Sequence, residues 1–251
     1  MAAAAGTPVH SAAPVSHADP DGVLLVDKPA GPTSHDIVDA VRRHFRFRKV
    51  GHGGSLDPQA TGLLVLLVGR ATRISNLMLT SDKTYTGVMR FGVTTDSYDM
   101  DGVVLAEADA SGVTRELLET RMKAFEGDRL QMPPMVSAVK KDGVPLYKLA
   151  RRGLVVEREA RLIHIYSFRL QDFHPPCASF LMHCTKGTYV RAVCHELGQA
   201  CGCGAALAQL RRTRSGVFKV EDAIQLEDVL KLERDALVAR FIPIHVATTL
   251  Q

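Results

Sequence analysis

Residues 51–62 read Gly51-His52-Gly53-Gly54-Ser55-Leu56-Asp57-Pro58-Gln59-Ala60-Thr61-Gly62 and run directly into Leu63-Leu64-Val65-Leu66-Leu67-Val68. The second part is a continuous apolar run of strand length bounded by glycines, which predicts a strand. The first part sets a single carboxylate among glycines and small polar residues. Glycines admit positive φ and let a ligand's backbone come close, while Pro58 stiffens the chain just after the acid. Asp57 is thus placed like a functional group, although a turn with its carboxylate bonded to nearby amides fits the same residues. The loop lacks the terminal Gly-Lys-Ser/Thr of a phosphate-binding NTPase loop.

Working outward, residues 22–26 (Gly-Val-Leu-Leu-Val) read as a short buried strand that Lys28-Pro29-Ala30-Gly31-Pro32 stops. Thr33 or Ser34 can cap a helix whose Ile37, Val38, Val41 and Phe45 share one face, with Arg42, Arg43, Arg46 and Arg48 mostly outside. Downstream, the pattern predicts a helix over 70–79, a strand over 83–91, a hairpin turn at Asp101-Gly102 and an amphipathic helix over 114–125. Residues 129–153 are long, basic and proline-containing, as expected of a mobile loop over a site. Strands over 161–170 and 178–184 precede helices over 189–201 and 226–241. Strands outnumber any regular βα alternation, which predicts an α+β fold: a mixed sheet with packed helices.

The bulk properties narrow the class. A chain of 251 residues, 46% hydrophobic and 23% charged, can bury a real core as one large domain. A net charge of +4 and a pI of about 8.8 permit a polyanionic partner without demanding one. Residues 1–20 lack a signal-peptide core and read as a disordered tail; no apolar run is long enough to span a membrane, so a cytoplasmic location is the default. Cys177, Cys184, Cys194, Cys201 and Cys203 are odd in number and follow no secretory signal, which predicts reduced thiols. His174, His183 and His195 lie among them, but Cys201-Gly-Cys203 is not a C-x-x-C pair and has no matching second pair, so no metal site is expected. Residues 97–102 imitate a calcium loop but place Ala108 where the closing carboxylate belongs, and His195-Glu196 lacks the second histidine of a zinc-protease helix. The basic clusters at 42–49, Lys140-Lys141, Arg151-Arg152 and Arg211-Arg212 with Arg214 make an RNA track only if they converge on one surface.

Six blocks, in order, carry a resemblance. They are the run from Gly22 to Lys28-Pro29, the 51–62 loop, Ser81-Asp82-Lys83-Thr84-Tyr85, the stretch 132–140 (Met-Pro-Pro-Met-Val-Ser-Ala-Val-Lys), Lys186-Gly187-Thr188-Tyr189-Val190-Arg191 and Leu210-Arg211-Arg212. Over residues 21–220 the chain resembles the TruB family of tRNA pseudouridine-55 synthases. The resemblance implies a mixed α/β catalytic domain over 21–251, with a central, mainly antiparallel sheet, flanking helices and a thumb-like insertion at about 129–153. It implies no metal or organic cofactor. The family's C-terminal RNA-binding PUA domain is not expected in the residues after 220.

By the same resemblance, Asp57 is the catalytic nucleophile, attacking either the base or C1′ of the target uridine in the tRNA T-loop. Arg191 pairs with it and keeps it ionised, and a bidentate contact would also fix its direction. Tyr85 stacks on the uracil and is a candidate for C5 deprotonation. Tyr189 and Leu210 line the base pocket, His52 helps to hold the flipped-out nucleotide, and Lys28 and Pro29 belong to the substrate-binding set. Lys140, Lys141, Arg151, Arg152, Arg211 and Arg212 are available for RNA phosphates. A monomer without an obligate protein partner is expected. An RNA-folding role on the same scaffold is the alternative.

Overall fold

The computed structural model describes residues 19–137, 139–141, 143–150, 152–154 and 156–249. In chain order its elements are β1 (Gly22–Lys28), α1 (Ser34–His44), β2 (Val50–His52), β3 (Thr61–Val68), a 3₁₀ turn (Gly69–Ile74), α2 (Ser75–Thr80), β4 (Lys83–Phe91), β5 (Val93–Thr95), β6 (Val104–Glu107), α3 (Arg115–Ala124) and β7 (Gly127–Gln131). There follow β8 (Lys140–Lys141), β9 (Val144–Pro145), α4 (Leu146–Ala150), β10 (Arg161–His174), β11 (Cys177–Cys184), α5 (Val190–Ala200), β12 (Ala205–Ser215), β13 (Phe218–Lys219), β14 (Ile224–Gln225), α6 (Leu226–Val229), α7 (Arg234–Val238) and α8 (Ile244–Thr249).

One large sheet organises the molecule in the order β14-β1-β3-β12-β4-β11-β10-β7, with β2 on β3 and β13 on β12. Its pairings are antiparallel except β1 with β14 and β3 with β12. The apolar run of β3 explains why the sheet has two covered faces. Leu64, Leu66 and Val68 enter one core with Ile37, Val38 and Val41 of α1, while Leu63, Val65 and Leu67 enter another with Ala71, Met78 and Phe218. Successive strand side chains point to opposite faces, so a strand covered on both sides must be apolar throughout. Each such Leu or Val contributes about 1.5–3 kcal/mol by leaving water. A third core joins β4, β10 and β11 to α3 and α5 through Met89, Phe168, Phe180, Leu118 and Leu197.

Helix α1 starts as its sequence predicts. The Thr33 hydroxyl accepts from Asp36 N at 3.1 Å and the Asp36 carboxylate accepts from Thr33 N at 2.8 Å, a capping box. Ser34 instead faces inward. Its buried hydroxyl accepts from Leu56 N at 2.8 Å and donates to Leu56 O at 3.1 Å, tying α1 to the residue before Asp57.

The structure departs from the sequence reading in four places. Residues 129–131 are not loop but the end of β7, an edge strand paired with β10, and a small β8–β9 hairpin and α4 follow. The expected 226–241 helix is two short helices, α6 and α7. In one continuous helix Leu232 would lie about 200° around from Leu230; the break lets both pack on the same core. The 70–79 helix begins as a 3₁₀ turn. Strand β12 has no counterpart among the elements expected from sequence. Residues 1–18, Arg151 and the side chain of Lys140 lie outside the described residues. Among the described residues no helix is long and apolar enough to cross a membrane.

Candidate active site

The loop between β2 and β3 carries Asp57 to the wall of a cleft of about 360 Å³, which Gln59, Asp99, Met100, Arg191 and Leu210 also line. Three buried groups beneath the loop fix its shape. Lys28, fully buried, donates from Nζ to the carbonyls of Pro29 (2.9 Å), Pro58 (2.7 Å) and Ala60 (2.8 Å). Arg212, also buried, donates to Leu63 O (2.8 Å), Ser55 O (3.2 Å) and Gly54 O (3.0 Å). Ser34 holds Leu56 from the side of α1. Where the loop becomes β3, Gly62 has φ +99°, and a Cβ there would lie 2.3 Å from the carbonyl oxygen of Arg212. Only glycine fits this close crossing.

Asp57 faces Arg191, the second residue of α5, whose Nε stands 3.3 Å from Asp57 Oδ2. The contact is not the bidentate one that the sequence suggested. Among the described residues Arg191 Nε has no aligned hydrogen-bond acceptor, while its other nitrogens are engaged by the carbonyls of Ser97 (3.3 Å) and Val136 and by Asp99 Oδ2 at 3.6 Å. The guanidinium is thus shared between two carboxylates and two carbonyls. Burial of the site pushes the Asp57 carboxyl above the ordinary range; Arg191 pulls it back, Asp99 raises it and Lys28 lowers it. Arg191 therefore opposes protonation of Asp57 but does not hold the acid below its usual pKa. Half of the Asp57 side chain remains open to the cleft, where a bound substrate can seal it from water.

Leu210 lines the cleft on β12, packed against the third core. Tyr85 is 9% exposed and lies opposite Arg212 across the β12–β4 ladder, and its phenol is pushed up to about 12, chiefly by burial. It is a phenol at neutral pH, an acid or a donor and not a ready base. Tyr189 caps α5, with its amide donating to Gln131 Oε1 (2.8 Å), its carbonyl accepting from Gln131 Nε2 (3.1 Å), and Arg191 Cζ 5.9 Å from its ring centroid. His52 sits in β2 with Nδ1 accepting from Gly54 N at 3.3 Å, and burial lowers its pKa. It braces the same loop.

Several expected contacts are corrected by this geometry. The Lys28 ammonium, expected in the substrate-binding set, is engaged by three carbonyls beneath the loop. Arg212 offers nothing to RNA phosphates, being 2% exposed with its donors used internally. Arg211, alternating to the other face of β12, makes a bidentate pair with the buried Asp27 at 3.0 and 2.6 Å. Lys141 is exposed and donates to Glu157 O at 2.9 Å, and Arg152 is exposed. Sequence reasoning misses Asp99, which belongs to the segment that only imitates a calcium loop. That segment folds against β12, with Leu207 N donating to Tyr98 O at 2.9 Å, and carries Asp99 to Arg191. The five cysteines are free thiols, and among the described residues no cluster of three metal-ligand side chains forms.

A carboxylate facing a buried arginine in an open cleft beside a mixed, mainly antiparallel sheet is an arrangement suited to acid–base or nucleophile chemistry. The chain belongs to the TruB family of pseudouridylate synthases: the family's N-terminal domain matches residues 42–190 and the tRNA pseudouridylate synthase B C-terminal domain matches residues 191–247. The second segment supplies β12 to the same sheet, so the junction at α5 is no break in the fold. A protein of Opitutus terrae named tRNA pseudouridine synthase B is 49% identical over 90% of this chain and 94% of its own length. A protein of the same name from Pseudomonas aeruginosa is 50% identical over 85% of this chain and 70% of its own. Among solved structures, a chain of a Cbf5-Nop10-Gar1 complex superposes with a TM-score of 0.72 at 30% identity, covering 91% of this chain and 62% of that one. This chain therefore spans less than two thirds of that protein.

Proposed function

We propose that this chain isomerises uridine to pseudouridine in the T-loop of tRNA, with Asp57 as the nucleophile and without a metal or organic cofactor. The observation that carries the reading is the Asp57–Arg191 pair at 3.3 Å on the wall of the cleft. Two relatives named tRNA pseudouridine synthase B, at 49% and 50% identity, support the substrate.

A carboxylate nucleophile divides the glycosidic exchange into easier steps. Attack at C1′ forms a C1′–O bond and expels uracil with the C1′–N1 electron pair; attack on the base instead tethers the ring before that bond breaks. Either course ends with a C1′–C5 bond, release of Asp57 as the carboxylate, loss of the C5 proton and gain of a proton at N1. Arg191 favours the ionised nucleophile, and Leu210 offers an apolar wall to a base extruded from the loop. Tyr85, as a phenol, enters as a hydrogen-bond donor. The thumb-like insertion, with Lys141 and Arg152 exposed, meets the RNA backbone, and the chain acts as a cytoplasmic monomer.

The test is an unmodified tRNA transcript incubated with the protein and mapped for pseudouridine by position. Conversion of the T-loop uridine supports the reading; conversion elsewhere, or none, sinks it.

A further inference from the structure

Arg212 is a buried cation with no carboxylate within ion-pair distance among the described residues, and the proposed chemistry leaves it unused. It donates to three backbone carbonyls: Leu63 O on β3, and Ser55 O and Gly54 O on the loop before Asp57. The Tyr85 side chain stands beside it on the same face of the sheet. The register explains the meeting: Arg212 lies directly opposite Tyr85 across the β12–β4 ladder and opposite Gly62 across β12–β3. Paired positions put their side chains on one face. A planar guanidinium presents its donors in one rigid fork, whereas a lysine ammonium carries three rotatable donors on a flexible stem.

We propose that Arg212 is a positioning residue for the isomerisation, locking the Tyr85 phenol to the Gly54–Ser55 turn of the nucleophile loop and having no part in binding RNA phosphates. The inference rests on the proposed function. With the guanidinium bonded to the loop carbonyls and packed beside the phenol, the ring and the loop keep one relative position. Burial lowers the pKa of Arg212 and the neighbouring Tyr85 raises it.

The experiment is a double-mutant cycle on tRNA with R212K, R212Q and Y85F, reading kcat, KM and the salt dependence of RNA binding. Either Arg212 variant that keeps the parent's melting temperature should lose on the order of a hundredfold in kcat, with RNA affinity and salt slope unchanged. In the Y85F background the same substitution should cost clearly less, because the group through which Arg212 acts is gone. Additive losses, or a weaker RNA affinity with a shallower salt slope at unchanged kcat, would overturn the proposal. Failure of both Arg212 variants to fold would also overturn it, since Arg212 would then be a stability residue. If the parent itself leaves tRNA unmodified, the function has failed and not this inference.

Discussion

Nε of Arg191 stands 3.3 Å from Oδ2 of Asp57, while Nη1 of the same guanidinium lies 3.6 Å from Oδ2 of Asp99. One buried cation therefore balances two acids, and removing it leaves both exposed to each other's charge. In Arg191→Met the Asp57 carboxyl should rise further, since its main counter-charge is lost. The reaction needs the carboxylate, so the acid limb of the kcat–pH profile should move to higher pH, with a larger loss at pH 6 than at pH 8. An unshifted acid limb would separate Arg191 from the ionisation of Asp57.

Lys28 makes an opposite pair of predictions for stability and activity. Burial brings its pKa from 10.5 down to about 8. Between those values the unfolded chain binds a proton that the folded chain does not. Its contribution therefore makes the fold more stable as pH rises from about 8 to about 10.5, and its cost is fully present below 8. Activity should run the other way, because a neutral amine has two N–H groups for the three carbonyls it now holds. An alkaline limb in kcat near pH 8 is expected, removed by Lys28→Arg. Lys83, also brought down to about 8 by burial, faces the carbonyls of α2 instead, so Lys83→Arg should leave the limb in place.

Gly62→Ala tests the crossing of β3 and β12. The added Cβ would meet the Arg212 carbonyl at 2.3 Å in a backbone at φ +99°. A loss of about 3 kcal/mol in denaturant unfolding is expected, with a fall in kcat because the loop and Arg212 shift together. An unaffected unfolding midpoint would show that the crossing is slack.

Much of this architecture is legible from residues alone where local pattern and tertiary role agree. The run 63–68 reads as a strand because both of its faces are buried, and Thr33 is one of the two caps the sequence offers for α1. Strand β12 is hidden for the converse reason. Its Gln209-Leu210-Arg211-Arg212-Thr213-Arg214 reads as a basic surface cluster, and only the structure supplies the partners, Asp27 and the carbonyls of the nucleophile loop, that let such a segment lie inside a sheet. The approach of Asp57 to Arg191 is likewise absent from any periodicity; the order of the family's blocks singles out both residues, and the sheet brings them together. Asp99 carries no local signal, since what distinguishes it is where the 96–103 segment lands.

The most direct measurement is single-turnover pseudouridine formation on an unmodified tRNA transcript by the parent and by Asp57→Asn, with RNA affinity measured alongside. The parent should convert the T-loop uridine, and Asp57→Asn should bind RNA equally well while losing at least about ten-thousand-fold in rate. Comparable conversion by the two proteins would contradict the assignment of Asp57 as the nucleophile.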